Sequence, residues 1–271
     1  MKTVLITGAS TGIGKATALE FQQRGWNVVA TMRSPEKATE LAHLSHVLCL
    51  RLDVTDLDSI QQAVETTIER FGAIDVLVNN AGYGLVGVFE ASERSQIERQ
   101  FATNVFGLMD VTRAVLPHFR ERKQGAIVNV ASIGGRLTFP LYSLYHSTKF
   151  AVEGFSESLQ YELKPFQIRV KLIEPGAIKT DFYSRSADIM SRPGLTAYDR
   201  FIAKVLPKTE KAGMDGSSPE AVAQVIYKAS TEDSWKLRYP AGKNAGMLLF
   251  LRKLLPDAAF TTFIKRVLID G

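Results

Sequence analysis

The sequence predicts an α/β protein built on a doubly wound parallel sheet. Three observations carry that prediction. Short apolar runs alternate with longer segments of helical period from residue 3 to about residue 240. Several of these runs are apolar at every position, as strands buried on both faces are. A glycine-rich turn, Gly8-Ala9-Ser10-Thr11-Gly12-Ile13-Gly14, joins the first run to the first helical segment. Alternating strand and helix implies right-handed crossovers and a ligand crevice at the C-terminal ends of the strands.

The elements follow in order. Thr3 to Thr7 reads as a buried strand, then the turn, then a helix to Arg24 that Gly25 closes. Trp26 to Met32 is a second strand, Pro35 to Leu44 a short helix with proline in its first turn, and His46 to Leu52 a third strand. Thr55 to Phe71 is a helix ended by Gly72, and Ile74 to Val78 a fourth strand. Ser92 to Arg122 reads as mostly helix, Ala126 to Ala131 as a fifth strand, Tyr142 to Lys164 as a helix, and Ile168 to Ile173 as a sixth strand. Thr180 to Ser217 breaks the rhythm. Its prolines and glycines (Pro193, Gly194, Pro207, Gly213, Gly216) and lack of period suggest an irregular binding lid. Pro219 to Ser230 is a helix, Leu237 to Pro240 a short last strand, and 244–271 a helical tail. No boundary divides the 271 residues, so one domain is expected.

The single cysteine excludes an intrachain disulfide, and Cys49, inside Val47-Leu48-Cys49-Leu50, reads as a small hydrophobe on a strand. The four histidines show no metal-ligand spacing, so no metal site is expected. No apolar run reaches membrane-spanning length and no secretory pattern opens the chain, which makes a cytoplasmic protein the expectation. Net charge is +5, and residues 236–267 alone carry +6. That segment also holds the run Met247-Leu248-Leu249-Phe250-Leu251, followed by Phe260, Phe263, Ile264 and Val267 at near-helical spacing. One reading is two helices packed on the core or on a sister subunit. The other is an interfacial element making weak peripheral contact with anionic lipid. No aromatic-basic platform accompanies the charge, so nucleic acid is not an expected partner.

The glycine turn has a physical reading of its own. Gly8 permits the tight turn, Gly12 lets backbone approach a pyrophosphate at the helix N-terminus, and Gly14 lets helix and strand pack closely. Tyr145 and Lys149, four apart on a predicted helix, lie on one face. An ammonium beside a phenol favours the phenolate, so Lys149 is expected to lower the pKa of Tyr145 and make it a general acid or base. Ser132 ends the strand just before that helix.

The spacing Gly-x-x-x-Gly-x-Gly, with Asp53-Val54, Asn79-Asn80-Ala81-Gly82, Asn104, Ser132, Tyr145-x-x-x-Lys149 and Pro175-Gly176 in that order, resembles the short-chain dehydrogenase/reductase family. The resemblance runs from Thr7 to about Gly242 and implies a Rossmann-like fold of the compact branch. It implies a nicotinamide dinucleotide held by Gly8, Ser10, Thr11, Gly12, Ile13 and Gly14. Asp53 and Val54 would meet adenine, and Asn80, Ala81 and Gly82 the adenosine. Pro175, Gly176, Ile178 and Thr180 would lie at the nicotinamide. It further implies Ser132 on the substrate oxygen, Tyr145 as the proton donor and acceptor, Lys149 also on the ribose, and Asn104 anchoring a water beside the lysine. For Asp53 a helix N-cap is the rival reading, and for Asn104 a bond to its own helix backbone.

Cofactor choice is expected at Arg33. Met32 stands where an aspartate would repel a 2′-phosphate, and the planar fork of Arg33 can pair with that phosphate, so NADP(H) is expected over NAD(H). Thr11 stands where many NADP enzymes carry a second basic residue. The stretch Thr31-Met32-Arg33 and the extended tail resemble the branch that acts on steroids and retinoids. The expected reaction is hydride transfer between NADP(H) and a bulky lipophilic carbonyl or alcohol. A dinucleotide-binding sensor and an epimerase on the same fold are the alternatives. The family often pairs through the helices holding Asn104 and Tyr145, so a homodimer or homotetramer is expected.

Overall fold

A computed structural model describes residues 1–180 and 187–270, with side chains at all of these but Ala187. Seven parallel strands form the sheet: β1 (Thr3–Ile6), β2 (Asn27–Met32), β3 (Val47–Arg51), β4 (Val76–Asn79), β6 (Gly125–Val130), β7 (Ile168–Pro175) and β9 (Arg238–Ala241). They lie in the order β3-β2-β1-β4-β6-β7-β9. The chain winds outward from β1 through β2 to β3, then returns to β4 and winds the other way. The crevice between β1 and β4 is therefore the topological switch point, where open α/β sheets bind their ligands.

Alternation along β1 sends side chains into two opposite layers. Val4 and Ile6 pack with Phe21 of α1 (Gly12–Gln23) and with Val222 and Ile226 of α8 (Pro219–Thr231). Leu5 faces the other way, onto Ile60 and Val64 of α3 (Leu57–Phe71) and Val111, Val115 and Phe119 of α5 (Gly107–Arg122). Phe21 and Phe119 are fully buried, and truncating either to alanine costs about 3–5 kcal/mol. The caps of α3 follow its sequence. Asp56 accepts a hydrogen bond from Ser59 N at 3.1 Å, and Gly72 takes the left-handed conformation that ends the helix.

Several elements differ from expectation. The segment from Pro35 to Leu44 is a 3₁₀ turn, Pro35–Lys37, and a single helical turn, α2 (Thr39–Ala42). The long helix before Arg122 is broken: α4 (Arg94–Phe101) meets α5 through a π-helical turn, Ala102–Phe106. A second, two-stranded sheet pairs β5 (Gly84–Val86) with β8 (Ala187–Ile189).

The expected irregular lid holds a sixteen-residue helix, α7 (Asp199–Met214). Its buried positions Val205, Thr209 and Gly213 recur every four residues, a helical face that Pro207 and Gly213 obscure in the sequence. Of this segment, 181–186 lie outside the described residues. Helix α6 (Ser143–Leu163) crosses the sheet beside β7.

The tail forms α9 (Ala245–Leu254), α10 (Asp257–Lys265) and a π turn, Arg266–Asp270. Ala245 and Phe260 are buried with Ile133 and Leu137, so the tail packs on the body of the protein. Met247, Phe250 and Leu254 of α9 are exposed. Among the described residues no helix is long and apolar enough to cross a membrane.

Candidate active site

The loops after β1 and β4 are stitched together across the switch point. The Thr7 hydroxyl accepts from Asn80 N and Ala81 N, both at 3.0 Å. Asn80 Nδ2 donates back to Thr7 O at 2.9 Å and Gly8 O at 3.0 Å. Gly8 has φ +66°, and a Cβ there would stand 2.8 Å from Ala81 Cα, so only glycine fits. Gly14 sits behind the turn, where a Cβ would collide with Gly8 O and, at 2.5 Å, with Asn80 Nδ2. Thr11 caps α1 with no side-chain hydrogen bond, which leaves the first-turn N–H groups facing the crevice.

The next loop out is equally ordered. Asp53 Oδ1 accepts from Thr55 N at 3.0 Å and from its hydroxyl at 2.8 Å. Asp53 is therefore not the N-cap of α3, a place Asp56 holds. The second oxygen of Asp53 makes no hydrogen bond among the described residues. Met32 is buried, whereas Arg33 beside it is exposed. Among the described residues Arg33 has no hydrogen-bond or ion-pair partner.

Ser132, Tyr145 and Lys149 converge where β6 ends. Ser132 Oγ accepts from Gly134 N at 3.0 Å and lies beside the Tyr145 phenol, whose pKa it lowers. The Lys149 ammonium donates to Val130 O at 2.9 Å and lies 5.8 Å from the centre of the Tyr145 ring. All three line one cavity. The electrostatics depart from expectation. Burial pushes the Tyr145 phenol up to about 12, with Ser132 opposing that shift. Burial pulls Lys149 down to about 8, against the attraction of Glu153. The expected lowering of Tyr145 by Lys149 does not appear in the chain by itself: burial sets the direction of the shift, and Lys149 is not among the groups that move it.

Asn104 bonds neither its own helix nor the cavity. Its amide donates to Tyr83 O at 2.9 Å and to Thr148 Oγ1 at 3.2 Å, and accepts from Tyr83 N at 3.1 Å. Thr148 in turn donates to Tyr145 O at 2.7 Å. Asn104 therefore braces the turn that carries Tyr145. Every other residue expected at the cofactor or the chemistry lines the cavity, except Gly14 behind the turn.

Two residues were not expected. Glu153, one turn beyond Lys149, is buried, and Arg238 holds it at 3.0 Å. Burial and the neighbouring Glu174 raise its pKa. Its only mark in the sequence is the spacing of four from Lys149. His146, next to Tyr145, is buried among Phe139, Tyr142 and Tyr145 and lines the cavity.

The cavity has a volume of about 1100 Å³ and runs without a break from Arg33, past Tyr145, to Leu248, Phe263, Ile264, Val267 and Leu268 of the tail. It can hold an extended dinucleotide and a second, apolar molecule end to end.

Known proteins resemble this chain. Residues 2–189 match the family model described as short chain dehydrogenase. "Uncharacterized oxidoreductase YusZ" of Bacillus subtilis (strain 168) is 40% identical, over 99% of each chain. "3-ketodihydrosphingosine reductase" of Bacteroides thetaiotaomicron is 36% identical over 94% of this chain and 93% of its own. The solved structure "ElxO with NADP Bound" superposes with a TM-score of 0.72 at 30% identity, covering 88% of this chain and 97% of that one. A match over two thirds of the chain, joined to the parallel sheet and its switch-point crevice, makes this chain an oxidoreductase of the short chain dehydrogenase family.

Proposed function

We propose that this chain reduces bulky lipophilic ketones or aldehydes, retinoid- or steroid-like in size, with NADP(H) in preference to NAD(H). The observation that carries the reading is the continuous cavity, whose far end is walled by apolar side chains of the tail. A relative named as a ketodihydrosphingosine reductase and a solved relative with NADP bound support it.

The cradle at Gly8, where a Cβ would meet Ala81, fits close backbone approach by a dinucleotide. In this reading Gly8, Ser10, Thr11, Gly12 and Ile13 receive the pyrophosphate, Gly14 supports them, and Arg33 pairs with a 2′-phosphate. Asp53 and Val54 meet adenine, Asn80, Ala81 and Gly82 the adenosine, and Pro175, Gly176, Ile178 and Thr180 the nicotinamide end. When bound, the nicotinamide supplies or accepts the hydride, and its oxidised form adds positive charge near Tyr145.

The chain's own side chains do the rest. Ser132 donates a hydrogen bond to the substrate oxygen and stabilises the charge that develops there. Tyr145 gives that oxygen its proton in reduction and removes it in oxidation. Lys149 holds a positive charge beside the ribose, and Asn104 keeps the Tyr145 turn in place. The described parts of the lid, 187–217, and of the tail, 244–270, close over the substrate. The exposed Met247, Phe250 and Leu254, beside Lys253, support weak peripheral contact with anionic membrane. Exposed Phe106, Phe150 and Tyr161 support self-association through the π turn that holds Asn104 and through α6.

A panel of ketones and aldehydes graded in size and polarity, assayed with NADPH and NADH, tests the reading. Activity is expected to rise with substrate hydrophobicity and with NADPH. A preference for small polar substrates such as sugars would overturn it.

A further inference from the structure

His146 directly follows Tyr145 on α6, yet it faces inward and is only 4% exposed. Its ring stacks on Tyr142 at 5.9 Å and lies edge-on to Phe139 at 5.8 Å. Its Nδ1 accepts from Phe139 N at 3.3 Å. A neutral imidazole that accepts at Nδ1 carries its proton on Nε2. Burial pulls the ring down to about 4, so it is neutral across the physiological range.

That leaves one donor, the Nε2–H, with no hydrogen-bond partner among the described residues. The Nε2 atom is not among the buried side-chain atoms that lack a partner, so it is open to the cavity that His146 lines. A Cβ placed on Gly134 would collide with His146 Cδ2 at 2.8 Å and would stand 3.1 Å from His146 Nε2 and 3.3 Å from Ser132 Oγ. The ring edge that carries Nε2 therefore packs on Gly134 beside Ser132, and both residues line the cavity together with Tyr145. Ser132 and Tyr145 are the pair proposed to hold the reacting oxygen, so the Nε2–H addresses the substrate just beside its carbonyl.

We propose that His146 is a specificity-determining residue that donates a hydrogen bond from Nε2 to a second, uncharged oxygen of the substrate, within two carbons of the reacting carbonyl. The preferred substrates are then lipophilic β-hydroxy ketones or β-keto esters rather than plain long-chain ketones. The inference rests on the reductase reading given above and deepens it. The apolar end of the cavity holds the chain, Ser132 and Tyr145 hold the reacting oxygen, and His146 reads what stands next to it. A plain ketone offers this donor no acceptor where the hydroxy ketone does, and is discriminated against for that reason.

The test compares a long-chain 2-alkanone with the 4-hydroxy-2-alkanone of equal length. Each is assayed with NADPH on the wild type, His146→Phe and His146→Gln. The wild type is expected to favour the hydroxy ketone in kcat/KM by about 3- to 15-fold, mostly through KM. His146→Phe brings that ratio to about one, and His146→Gln, which keeps a donor, restores part of it. Because the ratio is taken within each protein, a smaller folded fraction cancels. Calorimetric Kd values for the two ketones in the presence of NADP+ read the same preference without turnover. Binding preference without reduction of either ketone would overturn the reductase reading and uphold His146. Equal Kd values on the wild type, or a ratio unchanged in His146→Phe, would overturn the role of His146.

Discussion

Lys149 and Glu153 stand one turn apart on the same face of α6, the ammonium bonded to Val130 O at 2.9 Å and the carboxylate to Arg238 Nε at 3.0 Å. The lysine sits between two opposed influences. Burial draws it down to about 8, and Glu153 holds it up. Tyr145, pushed up to about 12, keeps its proton throughout the working range. Reductive kcat/KM is therefore expected to hold steady through neutral pH and to fall as pH rises through about 8, where Lys149 loses its charge. Glu153→Gln removes the carboxylate that supports that charge and moves the fall to lower pH. Superimposable pH profiles for the two proteins would show that Glu153 does not tune Lys149.

Tyr145→Phe removes only the transferable proton. Turnover is expected to drop about 10²- to 10⁴-fold, with the Kd for NADPH, measured by fluorescence titration, nearly unchanged. Lys149→Ala should weaken both, because its ammonium also serves the ribose. Near-normal turnover in Tyr145→Phe would remove the phenol from the chemistry.

Arg33 is exposed and has no partner among the described residues, so its loss disturbs no other contact. Arg33→Ala is expected to raise the KM for NADPH about ten- to a hundredfold and to leave that for NADH almost unchanged. Equal losses for both cofactors would place Arg33 away from the 2′-phosphate.

Gly14→Ala forces a methyl group against Gly8 O and the Asn80 amide. The clash is with backbone on one side and a fixed hydrogen-bonded amide on the other, so neither can yield freely. A stability loss of about 1–3 kcal/mol is expected, read as a lower Tm, together with weaker cofactor binding. Gly25 makes a useful contrast. A Cβ there meets nothing within 4 Å, so Gly25→Ala carries only the strain of a positive φ and should spare cofactor binding.

The strands and the glycine turn were legible in the sequence because each rests on a local pattern: an all-apolar run, or glycines between strand and helix. The Tyr145–Lys149 pair was legible because a helical spacing of four needs no coordinates. Helix α7 was not, because Pro207 and Gly213 are helix breakers whose cost is offset by packing that only the fold supplies. Strands β5 and β8 are three residues each, too short to show alternation. The upward shift of Tyr145 and the burial of His146 and Glu153 were hidden for one reason: desolvation depends on what the tertiary structure places around a group. A polar residue on a buried helical face looks the same in sequence as one on a wet face.

The π turn at Ala102–Phe106 makes this part of the chain sensitive to length more than to composition. Each residue of a helix advances it by about 100°, and a π turn absorbs one residue more than an α turn does. Deleting a single residue there would let α4 run into α5 as one regular helix. It would also swing Asn104 off Tyr83 and Thr148, or else turn the buried side of α4 toward solvent. Phe106, 57% exposed in the same turn, can be exchanged without opening the core. Insertions and deletions between residues 102 and 106 should therefore be far less tolerated than substitutions at the exposed position.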